Sequence, residues 1–181
     1  MYYDDVIDHI IFTKEQIEER VCALAEQIDK DYAGSELCLV SVLNGSFMFA
    51  ADLIRRLKTP ATISFIYASS YGAGRTQSEK VDIRPSKNFS VGGRNVLIIE
   101  DIIDTGRTLK AMKEYLFSMG ALSVELCALL DKKICRAVDI EAKYTGFDCP
   151  NEFVVGYGLD YNYRYRQFPF VGVLKKEIYS K

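Results

Sequence analysis

Short apolar runs alternate with amphipathic stretches along most of the chain. After a capping-box pattern at Thr13–Gln16, apolar residues recur every three or four positions, which predicts a helix with one apolar face: Ile17, Val21, Leu24 and Ile28. Other apolar runs predict strands at Asp8–Phe12, Leu37–Leu43, Ile63–Tyr67, Val96–Ile99, Ser123–Leu130 and Phe153–Val155. This order of strands and helices predicts an α/β fold with a parallel-sheet core.

The segment Asn95–Thr108 carries the clearest functional signal. Its apolar part, Val96–Ile99, predicts a strand that is buried on both faces of a parallel sheet. Three acids follow this strand: Glu100, Asp101 and Asp104. Because ligands of open α/β sheets bind at the carboxyl ends of the strands, we interpret these acids as part of a binding site.

The turn after the acids predicts an anion site. Thr105–Thr108 precedes apolar residues at helical spacing, and Gly120 is placed to end that helix. The free amides of a helix N-terminus, two threonine hydroxyls and the bare backbone of Gly106 suit a phosphate monoester. Since carboxylates repel phosphate, the two groups should bind different parts of one ligand, such as a sugar phosphate with Mg2+.

Two other structures could carry the same residues. Asp104-Thr105-Gly106 matches the triplet of aspartic proteases, but that fold is all-β, whereas this triplet precedes a predicted helix. The three acids could also lie in a solvated loop. Such a loop would not need the apolar pair Ile102-Ile103 between its acids, so a binding site remains the favoured interpretation.

Taken together, V-L-I-I-E-D-I-I-D-T-G-R-T resembles the phosphoribosyl diphosphate signature of the type I phosphoribosyltransferases. Leu129–Lys133 (L-L-D-K-K) and Phe153–Tyr161 (F-V-V-G-Y-G-L-D-Y) resemble the purine-binding segments of the hypoxanthine-guanine members. Val42–Phe47 and Ser69–Tyr71 extend the similarity, which covers residues 37–166. The resemblance implies transfer of a phosphoribosyl group from phosphoribosyl diphosphate to hypoxanthine or guanine, which yields IMP or GMP and pyrophosphate.

The resemblance also assigns roles to the residues of the signature. Asp104 would exchange a proton with N7 of the purine. Glu100 and Asp101 would hold the ribose hydroxyls, directly or through Mg2+. The residues implied to bind the phosphoribosyl group with its 5'-phosphate are Glu100, Asp101, Asp104, Thr105, Gly106, Arg107 and Thr108.

For the purine, the resemblance implies four residues. Lys132 would donate to the 6-oxo group, Phe153 would stack on the base and the Val154 backbone would contact the base edge. Asp160 would help to bind the base and a Mg2+ ion on the pyrophosphate side, so the implied metal ligands are Glu100, Asp101 and Asp160. A surface lysine and a core phenylalanine are the alternative interpretations of Lys132 and Phe153.

The remaining implied residues contact pyrophosphate or cover the site. The pyrophosphate residues are Leu43, Asn44, Gly45, Ser46 and Arg166, with a cis peptide bond between Leu43 and Asn44. Several relatives have lysine in place of Asn44. Residues 68–90 are expected to form a flap with Ser70 and Tyr71, because a long polar connection of this kind is typical of a functional lid.

The whole chain, residues 1–181, is expected to form one domain, with a hood made from residues 1–12 and 131–181. A net charge of -2 argues against nucleic-acid and membrane partners. Five cysteines without a C-x-x-C pair, no leader segment and no long apolar run favour a cytoplasmic protein. The family resemblance implies a homodimer or homotetramer.

Three alternatives remain for the function and its residues. A regulator with this fold could bind nucleic acid, but it would need a basic face or a helix-turn-helix segment. The aromatic and basic cluster 161–166 could serve such binding, although the rest of the chain is not basic. A related enzyme could instead prefer xanthine.

The single histidine, His9, is interpreted as structural.

Overall fold

The computed structural model describes residues 2–70 and 81–180. Within these two ranges the strands are β1 (Ile7–Phe12), β2 (Leu37–Leu43), β3 (Ala61–Ser70), β4 (Val81–Pro85), β5 (Asn95–Ile103), β6 (Ser123–Asp131), β7 (Tyr144–Asp148), β8 (Val154–Val155) and β9 (Val171–Leu174). The α-helices are α1 (Lys14–Asp31), α2 (Phe47–Ile54), α3 (Arg107–Ser118) and α4 (Lys176–Tyr179), and short 3-10 turns lie at Tyr2–Asp5 and Lys133–Cys135.

A six-stranded sheet in the order β4-β3-β2-β5-β6-β7 forms the centre of the fold. Five of its strands run parallel, and β4 pairs antiparallel with β3 at one edge. The predicted α/β fold with a parallel-sheet core and flanking helices is therefore confirmed. Because parallel strands end at the same edge, the residues after β2, β5 and β6 lie side by side.

Both faces of this sheet are covered, which explains the unbroken apolar run in β5. Leu97 and Ile99 pack in a cluster with α1 and α2, whereas Val96 and Ile98 pack in a cluster with α3. All four side chains are inaccessible to solvent. Hydrophobic burial on both faces thus anchors the strand that carries the acids.

The sequence signals for helix ends are confirmed. The Thr13 hydroxyl accepts from the Gln16 amide, and the Gln16 side chain accepts from the Thr13 amide, so the capping box is formed. The predicted second helix is α3, which begins at Arg107 directly after Gly106. It ends just before Gly120, whose φ of 84° is the left-handed conformation expected at a helix end.

A second, three-stranded antiparallel sheet, β1-β9-β8, joins the two ends of the chain. His9 lies exposed in β1, with Nδ1 2.8 Å from the Asp8 carboxylate. The strand predicted near Val154 belongs to this sheet and not to the parallel core, because it pairs with β9. The sixth strand of the main sheet is instead β7, which the apolar pattern did not reveal because Thr145 and Gly146 interrupt it.

β5 is also longer than the apolar run predicted. It continues through Glu100 and Asp101 to Ile103, because pairing with β6 extends to the Ile103–Asp131 pair. The first two acids are therefore held by strand geometry, and only Asp104 lies in the turn. Among the described residues, no helix has the length and apolar content needed to cross a bilayer.

Candidate active site

A cavity of about 190 Å³ lies where β2 and β5 end and α3 begins. Its walls come from the turn after β2 and from the acid and phosphate segments that the sequence predicted, including Leu43, Gly45, Glu100, Asp104, Thr105, Gly106 and Thr108. Segments 55 or more positions apart in the chain thus meet at one edge of the sheet, as the parallel topology requires.

The adjacent acids Glu100 and Asp101 share a desolvated environment. Glu100 Oε2 is inaccessible to water and has no hydrogen-bond partner among the described residues. Burial raises the pKa of Glu100 well above its usual range, and the Asp101 charge raises that pKa further. Burial also raises the pKa of Asp101, although hydrogen bonds from Glu100 and the Ile102 amide oppose the increase. Burial thus opposes the charged forms of both carboxyls, and a bound cation would favour them.

Two glycines allow three segments to approach each other closely. A Cβ atom at Gly45 would overlap the Asp101 carboxylate, and a Cβ atom at Gly158 would overlap the Gly45 carbonyl oxygen. Gly158 also has a φ of 103°, which L-residues rarely adopt. The end of β5, the turn after β2 and the loop after β8 consequently form one packed unit.

The turn after β2 contains the predicted cis peptide bond between Leu43 and Asn44. Ser46 is fully buried below this turn, where its hydroxyl donates to the Val42 carbonyl over 2.6 Å and contacts the Ser41 hydroxyl at 2.7 Å. Asn44, in contrast, is exposed. The hydroxyl of Ser46 therefore holds the turn from below, and residues 43–45 are the part that can face a ligand.

The loop before α3 has the geometry of an anion cradle. Gly106 has a φ of 79°, and a Cβ atom there would meet the side chains of Ile140 and Arg136. Thr105 and Thr108 line the cavity on either side of this glycine. Glycine is thus required both for the backbone conformation and for packing, directly before the first amides of α3.

Asp160 and Arg166 lie together beside this unit. Arg166 Nη2 is 2.8 Å from Asp160 Oδ1, and Arg166 Nη1 donates to the Gly158 carbonyl over 2.6 Å. The other oxygen of Asp160 accepts from the Tyr163 amide at 2.8 Å. The Arg166 charge also lowers the pKa of Asp101, against the larger effect of burial. Arg166 is therefore a cation that faces the acid-rich edge of the sheet.

Lys132 and Asp104 lie on adjoining loops. The Lys132 amide donates to the Ile103 carbonyl over 2.9 Å, and the Lys132 ammonium donates to the Glu152 carbonyl over 2.9 Å. The Cys135 thiol donates to Asn151 Oδ1 over 3.6 Å, and the neighbouring Asp104 carboxylate raises the pKa of that thiol. The predicted proton-transfer residue and the predicted purine-selecting residue are therefore connected through short loops at the ends of β5 and β6.

Phe153 precedes β8 and is 39% exposed. Its ring stacks on Tyr179 with centroids 5.0 Å apart and meets the edge of Tyr161 at 5.6 Å. It lines a second cavity of about 710 Å³ with Glu152 and residues of α4, and no residue of that lining belongs to the first cavity. Val154 is buried in β8. Phe153 therefore lines the second cavity and not the one that the acids line.

The described parts of the predicted flap lie at the edge of the main sheet. β3 reaches Ser70, which pairs with Val81 at the start of β4. Tyr71, which the resemblance assigns to the flap, lies outside the described residues. The described parts of segment 68–90 therefore include the two arms of an antiparallel ribbon.

Sequence reasoning missed two residues that shape the site, Gly158 and Arg136. Gly158 lies within the motif Phe153–Tyr161, so the position of that glycine was an available signal. Arg136 donates to the Asp104 carbonyl over 3.1 Å and pairs with Asp131. No local pattern indicates the contact between Arg136 and Asp104, because these two residues are 32 positions apart in the chain.

The acids suit a Mg2+ ion that is bound by one or two carboxylates, not by three. Among residues 2–70 and 81–180, no three histidine, cysteine or acidic side chains are grouped closely enough to hold one metal ion. Glu100, Asp101 and Asp160 therefore do not converge on a single ion. The unpartnered Oε2 of Glu100 suits a cation that takes one or two protein carboxylates and fills its shell with water and substrate phosphate, as Mg2+ does.

Comparison with known proteins identifies the family of this chain. The phosphoribosyl transferase domain family matches residues 10–162. The hypoxanthine-guanine phosphoribosyltransferase of Streptococcus thermophilus (strain CNRZ 1066) is 46% identical over 97% of this chain and 97% of its own length. That of Streptococcus pneumoniae (strain ATCC BAA-255 / R6) is 44% identical over 96% of this chain and 97% of its own length. A hypoxanthine phosphoribosyltransferase structure from Staphylococcus aureus has a TM-score of 0.95 at 44% identity and covers 100% of this chain and 98% of its own. The chain therefore belongs to the phosphoribosyltransferase family, within its hypoxanthine-guanine phosphoribosyltransferase group.

Proposed function

We propose that this chain catalyses a purine-salvage reaction, the Mg2+-dependent transfer of the 5-phosphoribosyl group from phosphoribosyl diphosphate to N9 of hypoxanthine or guanine. The products are IMP or GMP and pyrophosphate. One observation carries the proposal: the acid pair, Asp104 and the amides at the start of α3 line or border a single cavity at the sheet edge. That combination suits a ligand with both a phosphate and a diol.

Residues Thr105–Thr108, which we call the phosphate loop, and the acid pair Glu100 and Asp101 position the sugar. The first amides of α3, with the hydroxyls of Thr105 and Thr108, bind the 5'-phosphate. Glu100 and Asp101 would orient the ribose hydroxyls and hold one Mg2+ directly or through water, and Asp160 would help to hold a separate Mg2+ on the pyrophosphate side. When bound, Mg2+ neutralises negative charge on the leaving pyrophosphate.

The residues after β6 and before β8 select the base. The Lys132 ammonium, which donates to the Glu152 carbonyl in this structure, donates to the 6-oxo group of the purine. Adenine has an amino group at that position and cannot accept the bond. Phe153 stacks on the base and the Val154 backbone contacts its edge, while the Asp104 carboxylate exchanges the proton at N7.

The turn after β2 and Arg166 bind the pyrophosphate. The backbone of residues 43–45 contacts its oxygens, Ser46 supports this turn from below, and the Arg166 guanidinium supplies positive charge. Residues 68–90, with Ser70 and Tyr71, close over the reacting sugar and exclude water that would otherwise capture it. The segments 1–12 and 131–181 act as a hood that covers the base.

The test is nucleotide formation from phosphoribosyl diphosphate with hypoxanthine, guanine, xanthine, adenine and uracil offered separately, with Mg2+ and with excess chelator. We expect Mg2+-dependent IMP and GMP with one pyrophosphate released per nucleotide. Product from xanthine would widen the specificity. The absence of product with every base, from protein that is folded by circular dichroism, would contradict the proposal and favour a regulator that binds nucleic acid.

The same proposal implies the partners, the location and the assembly of the protein. Its small-molecule partners are phosphoribosyl diphosphate, hypoxanthine, guanine, IMP, GMP and pyrophosphate, and no nucleic acid or membrane is required. A net charge of -2 is consistent with this set. We place the enzyme in the cytoplasm as a homodimer or homotetramer.

A further inference from the structure

A buried ion pair connects the loop that carries Lys132 to the phosphate loop. Asp131 is the last residue of β6 and pairs across the sheet with Ile103, the last residue of β5. Arg136 Nη2 binds Asp131 Oδ1, and the two side chains are only 16% and 7% exposed, respectively. None of the reaction steps proposed above uses this pair, although breaking a buried ion pair is costly.

The second guanidinium nitrogen points at the phosphate loop. Arg136 Nη1 donates to the backbone carbonyl of Asp104 over 3.1 Å. A guanidinium is planar and holds its donors at fixed angles, so the bond to Asp131 determines the direction in which Nη1 points. The ion pair therefore fixes the Asp104 backbone relative to the end of β6.

Two backbone hydrogen bonds run beside this bridge. The Lys132 amide donates to the Ile103 carbonyl over 2.9 Å, and the Ala137 amide donates to the Thr105 carbonyl over 3.0 Å. The aliphatic part of Arg136 also lies against Gly106. Residues 132–137 thus contact the chain from Ile103 to Gly106, the segment that carries Asp104.

We propose that Arg136, anchored by Asp131, is a positioning residue that sets the Asp104 carboxylate relative to the base held by Lys132. The inference rests on the proposed function. Proton exchange needs the donor and acceptor atoms within hydrogen-bond reach, and a displacement of about 1 Å can lower the rate about 100-fold. The first amides of α3 depend less on Arg136, because that helix is anchored by its own buried side chains.

The test compares steady-state kinetics of Arg136→Met, Arg136→Lys and the wild type, well below their unfolding temperatures. Arg136→Met should lower kcat about 100-fold and change the KM for phosphoribosyl diphosphate by less than about threefold. Lysine keeps the charge but cannot hold both partners, so Arg136→Lys should recover part of the loss and remain about tenfold below wild type.

Arg20 offers a matched control. It also uses two guanidinium nitrogens on backbone carbonyls, those of Gly146 at 2.7 Å and Thr145 at 2.5 Å, but these lie in β7 away from the cavity. Arg20→Lys should lower the unfolding temperature and leave kcat unchanged. If Arg136→Lys and Arg136→Met behave in the same way as Arg20→Lys, the Arg136 contact is only structural and the inference is wrong.

A double-mutant cycle and hydrogen exchange complete the test. Asp131→Ala combined with Arg136→Met should lose no more activity than Arg136→Met alone, because the pair acts as one unit. Additive losses would contradict that coupling. Amide exchange in residues 103–106 should be faster in Arg136→Met than in Arg20→Lys. This readout needs no activity, so an inactive wild type would overturn the proposed function, while unchanged exchange would overturn the positioning role.

Discussion

Asp104 lies in different surroundings from the two acids before it. Glu100 and Asp101 are held in β5 and share a desolvated environment that raises both pKa values. Asp104 lies in the exposed turn after the strand, close enough to the Cys135 thiol to raise the pKa of that thiol. Neighbouring carboxylates in unlike environments can perform unlike tasks, and the tasks proposed here are cation binding and proton exchange.

The first prediction concerns the proton-exchange role. Asp104→Asn removes the ionisable group and leaves the backbone that Arg136 holds, so the fold and phosphoribosyl diphosphate binding should be nearly unchanged. Turnover should fall by roughly 10²–10⁴, the usual scale of lost acid–base catalysis. Steady-state kinetics with hypoxanthine measures this change. Asp139→Asn, the same substitution at an exposed acid, is the control, and equal turnover in both variants would remove Asp104 from the mechanism.

Two consecutive lysines provide the second prediction. Lys132→Ala should raise the KM for hypoxanthine more than the KM for phosphoribosyl diphosphate, because only the base loses its hydrogen-bond donor. Lys133 pairs with Asp148 at the surface over 2.7 Å, so Lys133→Ala should change neither KM value. Varying each substrate at saturating levels of the other gives both constants. Equal effects of Lys132→Ala on the two constants would rule out base selection.

At the level of the elements, β5 determines how precisely the site is built. Its pairing with β6 as far as Ile103 keeps Glu100 and Asp101 in regular strand geometry, and its covered faces hold it between two layers of helices. The loop after β8 packs onto this strand through Gly45 and Gly158. Sites built on strands are more rigid than sites built on loops, which favours catalysis by orientation.

The third prediction tests that loop contact. Gly158→Ala adds a Cβ atom that overlaps the Gly45 carbonyl oxygen, so it should raise the KM for phosphoribosyl diphosphate and lower the free energy of unfolding by about 3 kcal/mol. Gly34 also has a positive φ, 78°, but open space around it. Gly34→Ala should therefore cost only about 1 kcal/mol, with unchanged kinetics. Denaturant unfolding and kinetics would show whether the two variants differ.

The fourth prediction concerns α1 and the turn before β3. Asp29 accepts from the Thr59 amide and hydroxyl at 2.8 Å and from the Lys58 amide at 3.0 Å. Burial raises the pKa of this carboxyl, but the bonds from Thr59 and Lys58 outweigh burial and lower its pKa overall. A carboxyl with a lowered pKa stabilises the fold above its unfolded value of about 4, and that contribution is lost as the pH falls through the folded value.

Asp29→Asn should therefore lower the free energy of unfolding by about 1–2 kcal/mol at pH 7. The difference from wild type should shrink as the pH falls below about 4. Thermal unfolding at several pH values measures this difference in stability. The control is Glu26→Gln, at an exposed position of the same helix. A difference that does not change with pH would show that the charge of Asp29 does not stabilise the fold.

In the whole molecule, the two sheets carry different groups of the predicted site residues. The parallel sheet carries the acids and the phosphate loop at one edge, whereas the small antiparallel sheet joins both ends of the chain and holds Phe153 and Val154. Joining the ends in one sheet ties the base-contacting segments to the rest of the fold. The proposed hood over the base depends on this arrangement.

The fifth prediction concerns assembly. Light scattering after size exclusion should give a mass two or four times that of one chain, as the family resemblance implies. A mass that falls to that of one chain on dilution would indicate a weak assembly, and a single-chain mass at all concentrations would contradict the prediction.

The sequence by itself determined the parts of this protein that depend on neighbouring residues. The apolar run of β5, the glycine turn at Gly106 and the capping box of α1 were predicted from local patterns, because a strand, a turn or a helix end is specified within a few positions of the chain. The cis bond at Leu43 was implied by the family resemblance. The family resemblance then supplied the roles.

Only the tertiary structure decided which distant residues meet. The contact of Gly158 with Gly45, the bridge from Asp131 through Arg136 to Asp104 and the placement of β8 beside β9 all join positions that are far apart in the chain or in different elements. Local periodicity carries no record of such contacts. They follow from the packing of whole strands and loops, where the free energy of burial selects one arrangement of the chain.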